Sequence, residues 1–214
     1  MMKHPEVVVI GLGYIGLPTA ALIASNNVKV HGLDINPNVV ETINRGEIHI
    51  VEPALGVAVA SAVKNGYLKA ATTPVEANTY IIVVPTPFKG KNEPDISFVE
   101  AATKAVMPLL KDGDLYIVIS GSGGTKTLLP TLETAKSKGA KIAVVSMKAT
   151  SAMADLADLT LKMGNDEVFA LTKGLPMGTS FELSTLVYLE AIIGEIVFDK
   201  DLTEEGMRSI HANL

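Results

Sequence analysis

The chain has 214 residues, 48% of them hydrophobic, a formal charge of −5 and no cysteine. The charge leaves no basic surface for nucleic acid or an anionic membrane, and the missing thiols exclude disulfides, thiolate metal sites and cysteine nucleophiles. No apolar run reaches the ~20 residues that span a bilayer, and Met1–Pro5 leads into a strand pattern without a secretory signal, so a cytoplasmic protein of one or two domains is expected.

Val7–Ile10 reads as a buried strand and runs into Gly11-Leu12-Gly13-Tyr14-Ile15-Gly16, which opens a helix over Gly16–Ala24. A second strand, Val28–Leu33, ends at Asp34, 18 residues after Gly16. Glycines in that turn let the chain reverse tightly and let a pyrophosphate approach the backbone. Asp34 is placed to accept hydrogen bonds from the adenosine ribose, which favours NAD over NADP. Helices follow over Pro37–Asn44 and Leu55–Asn65, then a strand over Tyr80–Val84. Pro85 and Pro87 read equally as a rigid loop leaving that strand and as part of a binding site.

A helix over Ser97–Leu110 and the polar turn Lys111-Asp112-Gly113-Asp114 precede a strand at Leu115–Ile119. That strand runs into Ser120-Gly121-Ser122-Gly123-Gly124-Thr125-Lys126. Hydroxyls and free amides where a strand turns into a helix suit a phosphate dianion. The remaining expected elements are a helix over Thr127–Lys138, a strand over Lys141–Ser146, a helix over Ser151–Leu156, a strand over Leu159–Met163 and a long helix over Gly178–Asp199. Continuous apolar strands alternating with helices predict a doubly wound α/β fold on a mainly parallel sheet, a single domain without a linker. No metal-ligand pattern stands out.

The residues Gly11–Pro18, Asp34-Ile35-Asn36, Ile43–Glu47, Glu52-Pro53, Val84–Phe88 and Pro94-Asp95 carry a resemblance. Over about residues 6–114 the chain resembles the N-terminal domain of the UDP-sugar 6-dehydrogenases, closest to the UDP-N-acetylmannosamine branch. The resemblance implies a dinucleotide-binding half, residues 1–113, with Gly11, Gly13, Tyr14, Ile15, Gly16, Asp34, Arg45 and Thr86 lining an NAD site. It also implies a catalytic cysteine, which oxidation of an alcohol to an acid needs for its thiohemiacetal. This chain has none, so UDP-sugar oxidation is not expected.

From about Asp112 the affinity changes. The Ser120–Lys126 turn, Ala154–Asp158, Pro176–Leu183 and the segment from Leu202 to Leu214 resemble the C-terminal part of 6-phospho-3-hexuloisomerase, a sugar isomerase (SIS) domain. The resemblance implies a phosphate site at Ser120, Ser122 and Thr125. It implies Glu182 as the base that moves a proton between adjacent sugar carbons, and His211 reaching a neighbouring subunit. Read from the residues alone, Glu182 is a first-turn carboxylate favoured by the helix dipole and His211 a solvated histidine. The family's usual Glu is replaced by Gly124, and its N-terminal half is replaced by the first βαβ unit here.

Two half-domains without a connector read as an engineered or recombined Rossmann-like/SIS-like hybrid, without native catalysis and retaining NAD binding. The alternatives are a hexulose 6-phosphate isomerase and a remnant NAD-dependent oxidoreductase. The helix Gly178–Asp199 is apolar on more than one face, from Phe181 and Leu183 to Ile196 and Val197. That excess suits either core burial or a homo-oligomer, with a dimer favoured by symmetry.

Overall fold

A computed structural model describes residues 5–203 except 53, 86, 90–92, 96, 127, 165–178 and 202. The chain divides into two compact units, one through Leu109 and the other beginning at Leu110. The first carries a four-stranded sheet and a short two-stranded one, the second a three-stranded sheet.

The first unit begins with β1 (Val7–Ile10), α1 (Gly16–Ser25), β2 (Val30–Leu33), α2 (Pro37–Asn44), α3 (Leu55–Lys64), β3 (Leu68–Ala71) and β4 (Thr79–Ile82). All four strands are parallel, in the order β3-β2-β1-β4. β1 is central, as its unbroken apolar run requires. Its side chains alternate between two cores. Val9 joins Leu12, Leu17, Val30, Ile43, Val59 and Leu68 on one face. Val8 and Ile10 join Leu33, Ala102 and Val106 on the other. Ala102 and Val106 belong to α4 (Ser97–Val106), so helices cover both faces, which is the doubly wound arrangement.

Several boundaries differ from the sequence expectation. β3 was not anticipated, because Leu-Lys-Ala-Ala lacks the β-branched residues that mark a strand. Its Leu68 and Ala70 are nevertheless buried beside β2. The helix expected through Leu110 stops at Val106 and tightens into a 3-10 turn over Met107–Leu109. Pro108 cannot donate the amide that would continue it. Phe88–Lys89 (β5) and Glu93–Pro94 (β6) form a short antiparallel pair.

In the second unit β7 (Leu115–Ile119), β8 (Lys141–Ser146) and β9 (Leu159–Lys162) are parallel, with β8 in the middle. α5 (Leu129–Ser137) packs Leu132 against Ile142, Val144, Val118 and Met153. The helix expected over Ser151–Leu156 is a 3-10 turn, Ala154–Leu156. Beyond it lies α6 (Thr179–Asp199). β7 is an edge of its sheet among the described residues, and its Leu115, Ile117 and Ile119 are 62%, 54% and 48% exposed.

The parallel sheets with flanking helices are those of the expected α/β class. Among the described residues the parallel strands pair into two sheets, with β4 in the first and β7 in the second. An apolar pattern fixes which segments extend, whereas the partner of a parallel strand is chosen by long-range packing.

Candidate functional site

The glycine turn of the first unit is fixed from below and open above. Gly11 adopts φ +91°, and its amide donates to Leu33 O at 2.8 Å. A Cβ at Gly11 would collide with the Val83 carbonyl, and one at Gly16 with the Gly11 carbonyl. Gly13 differs: a Cβ there would meet nothing within 4 Å. The amides of Gly13, Tyr14, Ile15 and Gly16 have no acceptor among the described residues. α1 has no side-chain cap at Ile15. The turn therefore presents donors and empty space on one side, which fits a dinucleotide pyrophosphate.

Asp34 holds this turn to the end of β2. Its Oδ2 accepts from the Leu12 amide at 2.9 Å and its Oδ1 from the Asn36 amide at 2.9 Å. Asn36 in turn caps α2, accepting from Asn38 N at 3.0 Å. Tyr14, Ile15 and Ile35 stand exposed around it at 65%, 69% and 83%. Thus Gly11, Gly13, Tyr14, Ile15, Gly16 and Asp34 come together.

Arg45 does not join them by any described contact. It sits past the far end of α2, about 14 Å along the helix from Asn36. There it pairs with Glu47 at 3.0 Å and Glu41 at 3.1 Å. The hydrogen bond to Glu47, then that carboxylate's charge, raise the guanidinium pKa further. Thr86 lies outside the described residues.

In the second unit the three hydroxyls expected at a phosphate site form one cluster. Ser120 Oγ lies 3.0 Å from Thr125 Oγ1, and Ser122 Oγ lies 3.5 Å from the same atom. Gly124 N donates to Ser122 Oγ at 3.3 Å. The amides of Gly121, Ser122 and Thr125 have no acceptor among the described residues. α5 begins only at Leu129, so the turn is longer than the sequence suggested.

α6 reaches this turn through Phe181, whose ring carbon would lie 3.3 Å from a Cβ on Gly121. Glu182 is the next residue and is exposed. His211 lies outside the described residues. Among the described residues no cluster of His, Asp or Glu could hold a metal, and no helix is long and apolar enough to cross a membrane.

The profile of the UDP-glucose/GDP-mannose dehydrogenase family, NAD binding domain, matches residues 5–157. The chain belongs to this family. Its dehydrogenase relatives include the UDP-N-acetyl-D-mannosamine dehydrogenase of Salmonella typhi, 60% identical over 121 residues, or 56% of this chain and 29% of that protein. The chain thus spans under a third of that relative's length. The structure of the UDP-N-acetyl-mannosamine dehydrogenase of Staphylococcus aureus superposes with a TM-score of 0.57 at 34% identity, covering 65% of this chain and 36% of that one.

A relative of another kind matches as well. The 3-hexulose-6-phosphate isomerase of Methylomonas aminofaciens is 59% identical over 113 residues, 52% of this chain and 62% of that protein. The 56% and 52% shares exceed the whole chain, so the two matches overlap. This family member is therefore of mixed descent.

Three features of these sites carry no local signature. Asn44 clamps α2 to β3, donating to Ala70 O at 2.9 Å and accepting from Ala70 N at 2.8 Å. Phe181 on Gly121 and Ser146 beneath the second turn are tertiary contacts. In the sequence, only the placement of Ser146 at the carboxyl end of a strand hints at its role.

Proposed function

We propose that this chain is a recombined or engineered α/β protein that binds NAD at Gly11–Gly16 and Asp34 and does not oxidise UDP-sugars. The observation that carries this reading is the Asp34–Leu12 bond, which keeps the free amides of the turn presented together. Bound NAD would supply a hydride acceptor. The chain's own contribution is binding: amides take the pyrophosphate, Asp34 takes the ribose hydroxyls, and Tyr14 and Ile15 cover them. The chain contains no cysteine, so the thiol that the resemblance requires for acid formation is missing. Calorimetric titration with NAD tests the reading: binding below millimolar supports it, and no heat at millimolar NAD overturns it.

A second reading, aldose–ketose isomerisation of a sugar phosphate, has one observation in its favour. Phe181, in the first turn of α6, packs against Gly121 of the turn that carries Ser120, Ser122 and Thr125, and Glu182 follows it in the sequence. A base next to a held phosphate is what such proton transfer needs. Turnover of hexulose 6-phosphate that disappears in Glu182→Gln would establish it. We expect phosphate binding with negligible turnover, because the resembled family's other sugar contacts come from a half that is replaced here. The proposal includes a homodimer through the exposed side of α6, in the cytoplasm.

A further inference from the structure

Carbonyls and amides of the Ser120–Thr125 turn face different ways. The Gly121 carbonyl accepts from Met147 N at 3.2 Å and from Ser146 Oγ at 3.3 Å, and the Gly123 carbonyl from Met153 N at 3.2 Å. Both carbonyls are tied to the chain at and beyond the end of β8. Ser146, the last residue of β8, has no exposed surface. Its hydroxyl proton goes to Gly121 O, and its oxygen accepts from Lys148 N at 3.1 Å. Gly123 adopts φ +60°, and a Cβ there would lie 2.8 Å from Ser146 Oγ. The turn is seated on this hydroxyl.

The consequence follows from peptide planarity. The carbonyl of Gly121 and the amide of Ser122 belong to one trans peptide and point in opposite directions. Holding the carbonyl toward β8 aims the Ser122 N–H away from it, on the side where the amide finds no protein acceptor. We propose that Ser146 is a positioning residue for the anion turn: by fixing the Gly121 carbonyl, it keeps the Ser122 amide aimed at a bound phosphate. Ser146 touches no phosphate itself, and the proposal rests on the phosphate reading of Ser120, Ser122 and Thr125.

The test titrates inorganic phosphate into the full chain, into Ser146→Ala and into Ser146→Cys, with amide NMR on each. Loss of one buried hydrogen bond predicts about tenfold weaker phosphate binding in Ser146→Ala. The Ser122 amide signal should shift before phosphate is added, and Ser146→Cys, a weaker donor, should fall between the two. A serine that served stability alone would lower the melting temperature and leave the phosphate affinity of the folded protein unchanged. If Ser146→Ala fails to fold, the Cys variant decides by the same comparison. Equal phosphate affinity in the serine chain and the folded variant overturns the positioning role alone. No binding to the unaltered chain overturns the phosphate reading and the proposal with it.

Discussion

His31 lies within β2 and Asp34 directly follows its last residue, Leu33. Asp34 serves two backbone amides and remains partly exposed. Replacing it with Ala removes the brace of the glycine turn as well as the ribose acceptor. NAD affinity should fall about tenfold to a hundredfold, with discrimination against NADP relaxed, as read by calorimetry with both cofactors. His31 is buried, and its Nε2 lies 3.2 Å from Thr73 O. A carbonyl only accepts, so Nε2 carries the proton of the neutral ring. Burial lowers the His31 pKa; the Thr73 contact opposes that, and the charge of Lys69 adds to it. The unfolded chain therefore protonates this histidine first as pH falls below about 6.5. Stability from this group is complete above that value and declines below it. Urea midpoints measured from pH 7.5 to 5 should drop in the native chain, and the His31→Gln variant should lose this part of the dependence.

At the scale of elements, α6 has two apolar sides, and among the described residues one of them stays exposed. Phe181 and Thr185 are buried, whereas Leu186, Val187 and Ile193 are 63%, 69% and 53% exposed. A helix in water does not keep such a side uncovered without a partner. Light scattering at micromolar concentration should give a dimer, and Val187→Glu should convert it to monomer. A monomeric native chain would remove the association claim. The excess apolar character of this helix was legible in the sequence, as were the glycine turn, Asp34 and the Ser120 turn, because each is written in neighbouring residues. β3 was not legible, since Ala70 and Ala71 carry no strand signal, and its place comes from packing beside β2. Arg45 was assigned to the cofactor through resemblance alone, and its pairing with Glu41 and Glu47 was not anticipated. Ser146 escaped notice because a serine at a strand end acquires meaning only from what folds on top of it.

For the whole molecule, separate sheets and cores predict separate cooperative transitions. Calorimetry should resolve two, with NAD raising one and inorganic phosphate the other. Ligand at a hundredfold excess over Kd contributes about 2.7 kcal/mol to the unit that binds it. One transition raised by both ligands would show a single cooperative body. The uncovered flank of β7 bears on a different property, the ageing of a concentrated solution. Its backbone edge is unpaired among the described residues, and Leu115, Ile117 and Ile119 lie along it. Such a strand can recruit another copy, and that copy a third, so slow fibrillar growth should set the storage lifetime. Ile117→Lys places a charge in the middle of that ribbon. It should lengthen the lag before thioflavin fluorescence appears in stored samples and leave NAD binding by the first unit unaltered.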